Sequence, residues 1–288
     1  MFDGVHLGHQ QVIRQAVADA EHCEGISVVV TFDRHPNAIV APDRVPPLIY
    51  SLPQRMRAIA SLGVEAAWLV TFDQPFSART GEQFVRDLVD DFGAVSSICV
   101  GADFHFGFKR SGNIALLKEL GAELNFVVHG LASVSLDGET VRSTRIREAI
   151  RKGDLSFASQ MLGRDYALAG KVVRGDGFGR QINFPTANID TSGLILPPTG
   201  VYAVHVRADA KGYRGALNIG YRPTLHVPTT QTRVEVHLLD FEGNLYEREL
   251  EITFVEKLRD EMKFASLGDL RQQIAQDVAR IREIFDHL

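Results

Sequence analysis

Two histidines flank a glycine in His6-Leu7-Gly8-His9, and a run of helical period follows at Val12, Ile13, Ala16, Val17 and Ala20. This pattern suits phosphate binding. Gly8 lets a polyphosphate approach the backbone closely. The N–H groups that open the next helix add partial positive charge. The imidazoles of His6 and His9 can donate hydrogen bonds to phosphate oxygens without a fixed charge. A second group of such residues lies far downstream. Gly175, Gly177 and Gly179 alternate in a loop able to pass close to phosphates, and Arg180 adds a fork of donors. Pro185 fixes the backbone before Thr186 and Asn188, which sit at i and i+2 on one face of an extended segment. A hydroxyl and a carboxamide are hard oxygen ligands, suited to Mg²⁺ that also keeps water and phosphate. From spacing alone another reading stays open: a glycine-rich hairpin with a Thr-Ala-Asn strand end.

These residues need elements to hold them. Apolar runs at 26–32, 66–72, 97–100 and 124–128 predict buried strands. Helical stretches lie between them. One covers 53–62 and stops at Gly63; another starts at Thr80, whose hydroxyl can cap it while Gln83 reaches back. The alternation predicts an α/β unit with a parallel, doubly wound sheet. Ligands bind such sheets beyond the strands' carboxyl ends, where 6–9, 31–36 and 101–112 would gather. Five residues precede His6, too few for a strand leading into that turn.

From about residue 166 the helical period gives way to short strands at 170–174, 186–189, 201–207, 215–219, 233–239 and 249–255. Six strands at this spacing predict a small antiparallel barrel. One helix closes the chain, capped by Ser266 with Asp269 three residues on, with an apolar stripe of Leu270, Ile274, Val278, Ile281 and Phe285. The change of period puts a boundary near 151–165, and domains at 1–155 and 163–288.

Composition narrows the function. The 288 residues are 45% hydrophobic and 23% charged, values typical of a globular chain long enough for two domains. Lys and Arg number 31 against 36 Asp and Glu, a net −5 with no long run of one sign. That balance argues against nucleic acid or a membrane surface as partner. Cys23 and Cys99 read as buried free thiols of a reducing compartment. No apolar run of about 18 residues predicts a membrane span, and no signal peptide is evident, so a cytoplasmic protein is expected. Weak homo-oligomerisation is left open.

Several motifs resemble the bifunctional riboflavin kinase/FAD synthetase family. Residues 2–10, Gly101 to Gly107, and Ser143-Thr144-Arg145-Ile146-Arg147 are similar to its adenylyltransferase half. Residues 179–188, Asn218-Ile219-Gly220 with Pro223-Thr224, Val234-Glu235-Val236-His237 and residues 258–264 are similar to its kinase half, co-linear from residue 2 to about 285. The resemblance implies that riboflavin is phosphorylated to FMN and FMN adenylylated to FAD, with ATP and Mg²⁺ at both steps. It implies that His6 and His9 stabilise charge on the α-phosphate and departing pyrophosphate. Ser143, Thr144 and Arg147 would form a second nucleotide motif, and Asp103 and Phe104 a loop near the flavin. In the barrel, Gly179 and Arg180 would cover the ATP phosphates, and Thr186 and Asn188 would hold the metal. Glu235 would be the catalytic carboxylate, and Arg259 would lie beside the flavin. Without the resemblance, Glu235 reads as a solvent-facing charge on an amphipathic strand and Arg259 as a surface ion pair. His205, His226 and His237 carry no motif and read as structural.

Two positions depart from the family pattern. Asn183 stands where the family has glycine; if the backbone there needs positive φ, asparagine is the most tolerated substitute. The family also has a complete strand leading into Phe2-Asp3-Gly4, so a truncated start is expected, with the first, central strand missing. Each ladder group left buried and unpaired would cost ~1–3 kcal/mol, against a total stability of ~5–15 kcal/mol. Two other functions therefore stay in view: a riboflavin kinase with an inactive adenylyltransferase domain, and a flavin- or nucleotide-binding protein without catalysis. Complete Thr186, Asn188 and Glu235 argue against the last.

Overall fold

The computed structural model describes residues 1–175, 177–222 and 231–287. Its internal contacts divide it into two compact units, Met1–Ile146 with Met161–Gly163, and Arg147–Gln160 with Arg164–Leu288.

The first unit alternates helix and strand: α1 Leu7–His22, β1 Val28–Phe32, α2 Asn37–Val40, α3 Leu52–Ala60, β2 Ala66–Val70, α4 Gln74–Ser77, α5 Gly81–Phe92, β3 Ser97–Gly101, α6 Ile114–Leu124 and β4 Val127–Leu131. A hairpin of β5 Ser135–Leu136 and β6 Glu139–Thr140 follows. The helix starts are written in side chains. Ser51 accepts from the Gln54 N–H, Asn113 from Leu116, and Thr80 with Gln83 forms the expected reciprocal cap on α5. Asn125 ends α6 in the left-handed region at φ 63°, so the strand predicted at 124–128 begins at Val127 instead.

The strands pair in parallel, as the alternation requires, but in two separate pairs. Val28–Phe32 runs beside Ala66–Val70, and Ser97–Gly101 beside Val127–Leu131. Helix α1 packs against β3. The runs predicted as buried strands are only partly so. Val29, Thr31 and Val70 are buried, whereas Leu69 and Val127 are exposed. Val5, Ile13, Val29 and Ile59 form one core cluster and Val85, Leu117, Leu120 and Phe126 another, and Ile49, Tyr50, Val141, Ile146 and Leu162 are buried as well. Cys23 is exposed and Cys99 half-buried, both as free thiols, which corrects the expectation of two buried ones. Helix α7, Ser143–Lys152, runs across the division, and α8 Leu155–Leu162 follows.

The second unit contains β7 Ala167–Val173, α9 Phe178–Gln181, β8 Ala187–Ile189, β9 Gly200–Ala208, β10 Lys211–Arg222, β11 Gln231–Leu238, β12 Glu249–Arg259 and α10 Leu267–Asp286. The six strands close into a barrel in the order β10-β11-β8-β7-β12-β9, antiparallel throughout. Alternate residues fill it: Leu168, Val204, Leu217, Ile219, Val236, Leu250 and Ile252 are fully buried. Burying each such side chain contributes ~1.5–3 kcal/mol. Ser266 caps α10 by accepting from Asp269, and Ile281, Ile284 and Phe285 pack on Ala203 and Leu239 of the barrel's outer wall.

Candidate functional site

Because the inward face of each barrel strand is apolar, its polar residues point outward. The ladder registers align them. Arg259 on β12 lies opposite Val201, which lies opposite Asn218; Asn218 opposes Glu235, Glu235 opposes Asn188, and Asn188 opposes Val173. Directly opposed residues share a face, so Asn218, Glu235 and Asn188 form a polar row on the outer wall. Two register shifts in β12, between Phe254 and Glu256 and between Lys257 and Arg259, bring Arg259 into line with it.

A cavity of about 280 Å³ opens on this wall and takes in Gly179, Thr186, Glu235 and Arg259, the residues expected of a kinase site. Asn188 and Arg180 do not line it. The Asn188 amide lies against Gly175, where an added Cβ would meet its nitrogen at 2.1 Å; Arg180 is exposed. The loop ahead of Thr186 is tightly folded. Phe184 N–H donates to the Gly179 carbonyl at 2.8 Å, and a Cβ on Gly179 would sit 2.3 Å from the Phe184 oxygen. Asn183 holds φ 65°, the left-handed conformation its side chain tolerates, so glycine's replacement there fits the turn.

Glu235 is about one quarter exposed, with Arg233 on the same strand face at 3.5 Å. His237, left without a role in the sequence, also lines the cavity; its Nδ1 lies 2.8 Å from the Pro185 carbonyl and its ring meets Phe184 edge-on. His205 instead packs on Phe285. Arg259 is not a surface ion pair. Its Nε and Nη2 donate to the buried carboxylate of Asp277. Sequence reading missed Asp277 and Glu261, whose carboxylate accepts from the Tyr221 N–H. A signal for Asp277 exists: it is an acid set between Ile274 and Ile281 of the apolar stripe. Pro223, Thr224 and His226 lie outside the described residues.

In the first unit, Asp3–Val5 forms a short 3-10 turn in which Gly4 has φ 76° and Val5 φ 42°. Positive φ at a buried β-branched residue is strained. The Asp3 carboxylate holds the turn by accepting from the Ile49 and Tyr50 N–H groups, and Gln10 donates to the Val5 and Leu162 carbonyls. His6 is buried at the N-cap of α1, its ring stacked on His9 with centroids 3.6 Å apart. A Cβ on Gly8 would touch the His6 ring at 3.3 Å. Both imidazoles thus sit at the helix's donor end. Ser143 donates to the Asp3 carbonyl at 3.1 Å, which puts this residue beside the first turn. Thr144 is exposed; Arg147, one turn after Ser143 on α7, is buried. Asp103 lies in an exposed turn, and the half-open ring of Phe104 stacks on Phe106 at 5.3 Å.

Among the described residues no cluster of three or more His, Cys, Asp or Glu side chains could hold a metal. Of the two hard oxygen donors expected at a metal, the Thr186 side chain lines the cavity, while the Asn188 carboxamide lies against Gly175.

A histidine-bearing turn at a helix start on a parallel α/β unit and a carboxylate-bearing row on a closed barrel are the frame of a transferase with two catalytic domains, as the family models for this chain show. Residues 162–285 match the riboflavin kinase family model and residues 1–145 the FAD synthetase family model. The chain is 36% identical over 285 residues to the bifunctional riboflavin kinase/FMN adenylyltransferase of Escherichia coli strain K12, covering 99% of this chain and 90% of that one. To the protein of the same description from Pseudomonas fluorescens it is 38% identical, covering 98% and 90%. A crystal structure described as a macrolide-efflux protein from Streptococcus pneumoniae superposes with a TM-score of 0.81 at 30% identity, covering 98% and 91%. Among this chain's described residues no helix is long and apolar enough to cross a membrane. The chain belongs to the bifunctional riboflavin kinase/FMN adenylyltransferase family and carries both transferase domains, which use ATP and flavins.

Proposed function

We propose that residues 163–288 transfer the γ-phosphoryl group of ATP to the 5′-hydroxyl of riboflavin, with Glu235 as the base. The hydroxyl oxygen attacks the γ-phosphorus, the bond to the ADP oxygen breaks, and the hydroxyl proton passes to Glu235. Gly179 and Arg180 cover the phosphates, and Arg259 lies beside the flavin. Thr186 and Asn188 would hold Mg²⁺, which when bound neutralises phosphate charge. The observation that carries this reading is the convergence of Gly179, Thr186, Glu235 and Arg259 on one cavity of the outer wall.

Residues 1–155 then join FMN to the α-phosphorus of a second ATP, releasing pyrophosphate and giving FAD. His6 and His9, with the N–H groups around Gly8, stabilise the charge that develops. Ser143, Thr144 and Arg147 bind the nucleotide, and Asp103 and Phe104 contact the flavin. The balanced charge supports small-molecule substrates, with neither nucleic acid nor membrane as partner, and a cytoplasmic setting.

The test separates the two steps. Glu235→Ala is expected to abolish FMN formation from riboflavin while leaving conversion of supplied FMN to FAD intact, read by product chromatography. Equal loss of both steps in a folded protein would overturn the two-site assignment.

A further inference from the structure

The kinase site has a supporting carboxylate on the terminal helix. Arg259 Nε lies 3.0 and 3.1 Å from the two oxygens of Asp277, and Nη2 donates to one of them at 2.7 Å. Arg259 Nη1 donates to the Asp260 carbonyl at 3.0 Å. A guanidinium has five N–H donors, so one on each terminal nitrogen is left for a substrate. The Phe264 ring lies 5.9 Å from the guanidinium carbon. Asp277 is itself fixed, since Gln273 one turn earlier donates to its Oδ1 at 3.0 Å. Arg259 and Asp277 both line the cavity, with Met262, Phe264, Leu270 and Ile274.

The pair is buried: the side chain of Asp277 is 8% exposed and that of Arg259 18%. A buried ion pair adds little net stability over an apolar pair of the same shape, so its presence beside a cavity calls for another reason. Bidentate pairing fixes the plane of the guanidinium as a single charged contact would not. It also cancels most of the charge. What faces the cavity is a flat, rigid, nearly neutral donor with apolar neighbours, which suits an uncharged planar ring bearing carbonyl oxygens better than a phosphate.

We propose that Asp277 is a positioning residue of the riboflavin kinase site, holding Arg259 flat against the flavin ring, with Gln273 holding Asp277 in turn. This rests on the functional reading above. Helix α10 thereby does more than cover the barrel; it sets the fit for one of the two substrates.

The experiment is steady-state kinetics on the full chain with riboflavin and ATP varied separately, alongside riboflavin binding by fluorescence quenching. Asp277→Asn keeps the shape and removes the charge. Its expected effect is a rise of about tenfold in both KM and Kd for riboflavin, the scale of one charged hydrogen bond, with kcat and KM for ATP within about twofold. Arg259→Lys should do the same, and the double variant should be no worse than the worse single one. Asp277→Glu should recover part of the loss. Should Asp277→Asn fail to fold, Gln273→Ala should still raise the riboflavin KM about two- to threefold. A riboflavin KM that stays at its unaltered value, or that rises only together with the ATP KM and a fallen Tm, would overturn the proposal and leave a structural ion pair. If the unaltered chain neither binds nor phosphorylates riboflavin, the functional reading falls and this inference with it.

Discussion

Both units hold their strands by the same hydrogen bonds, yet the barrel and the α/β unit distribute them differently. In the barrel each strand has a neighbour on both sides, because the sheet closes on itself. In the first unit β1 ladders with β2 and β3 with β4, each pair leaving backbone groups that no third described strand takes up. Closure gives the barrel one large cluster of buried side chains, larger than either cluster described above for the α/β unit. The lesson concerns how sites are built. On a closed wall, register alone places Asn188, Glu235 and Asn218 side by side. In the α/β unit the His6–His9 turn relies on side-chain ties, with Asp3, Gln10 and Ser143 holding its backbone.

The largest effect that can break this comparison is a cavity in the barrel. Ile252 is fully buried in its core, so Ile252→Ala should cost ~2–5 kcal/mol. Leu69 of β2 is 40% exposed, and Leu69→Ala should cost under ~1 kcal/mol. Denaturant unfolding of the full chain, read in each unit by hydrogen exchange, would check both. Equal losses would show that the barrel's closure does not set it apart.

Next in size is the loop proposed to cover the phosphates. Gly179→Ala puts a methyl group 2.3 Å from the Phe184 carbonyl, a contact with backbone that cannot yield cheaply. The expected result is a rise in the KM for ATP in riboflavin phosphorylation of about tenfold or more, with FMN adenylylation unchanged, because a small displacement of a positioning group costs on that order. Asn183→Gly, by contrast, meets a backbone already at φ 65° and should alter kinase kinetics less than about twofold. Kinase assays over a range of ATP decide both.

Smaller again is the cap on α5. Thr80→Ala removes the hydroxyl that accepts from Gln83 and should lower stability by ~1 kcal/mol, read from the midpoint of denaturant unfolding. Kinase activity at moderate temperature should be untouched.

Much of this was legible in the sequence, for identifiable reasons. Period-2 alternation around Val234, Val236 and Leu238 named the barrel strands, and Ser266 and Thr80 marked helix starts that the structure places as read. Spacing left the Thr-Ala-Asn segment open to two readings, and Glu235 stood out only through the family resemblance, because an acid on an amphipathic strand carries no signal of its own. What stayed hidden needed long-range information. Neither the opposition of Glu235 to Asn188, 47 positions earlier by numbering, nor the clamp of Asp277 on Arg259 can be read from periodicity. The splitting of the parallel strands into two pairs was hidden for the same reason, since an apolar run shows that a strand wants cover but not whether cover is supplied. Asn125 shows the opposite failure: a polar residue inside an apolar run was a helix end, and the strand reading passed over it.

The finest test of the comparison uses one acid from each unit. Burial pushes the Cys99 thiol up to about 12, and hydrogen bonding to the Asp19 carboxylate adds to this, with Ser97 opposing. Burial also pushes the Tyr202 hydroxyl up to about 12, helped by the charge of Asp260. Both groups are neutral when protonated and hold their protons more tightly folded than unfolded. Each contribution is therefore fully present below the unfolded pKa and is lost as pH rises through the folded one. The starting points differ, because a free thiol titrates near 9 and a free phenol near 10. Stability of the first unit should thus begin to fall from about pH 9, and that of the barrel from about pH 10. Cys99→Ser should flatten the alkaline loss in the first unit alone, and Tyr202→Phe that in the barrel alone, as read by hydrogen exchange in each unit at fixed ionic strength. At pH 8 the same difference predicts that a thiol reagent labels exposed Cys23 at once and Cys99 only on unfolding. Rapid labelling of both cysteines in the folded chain would show that Asp19 and burial do not hold the Cys99 proton.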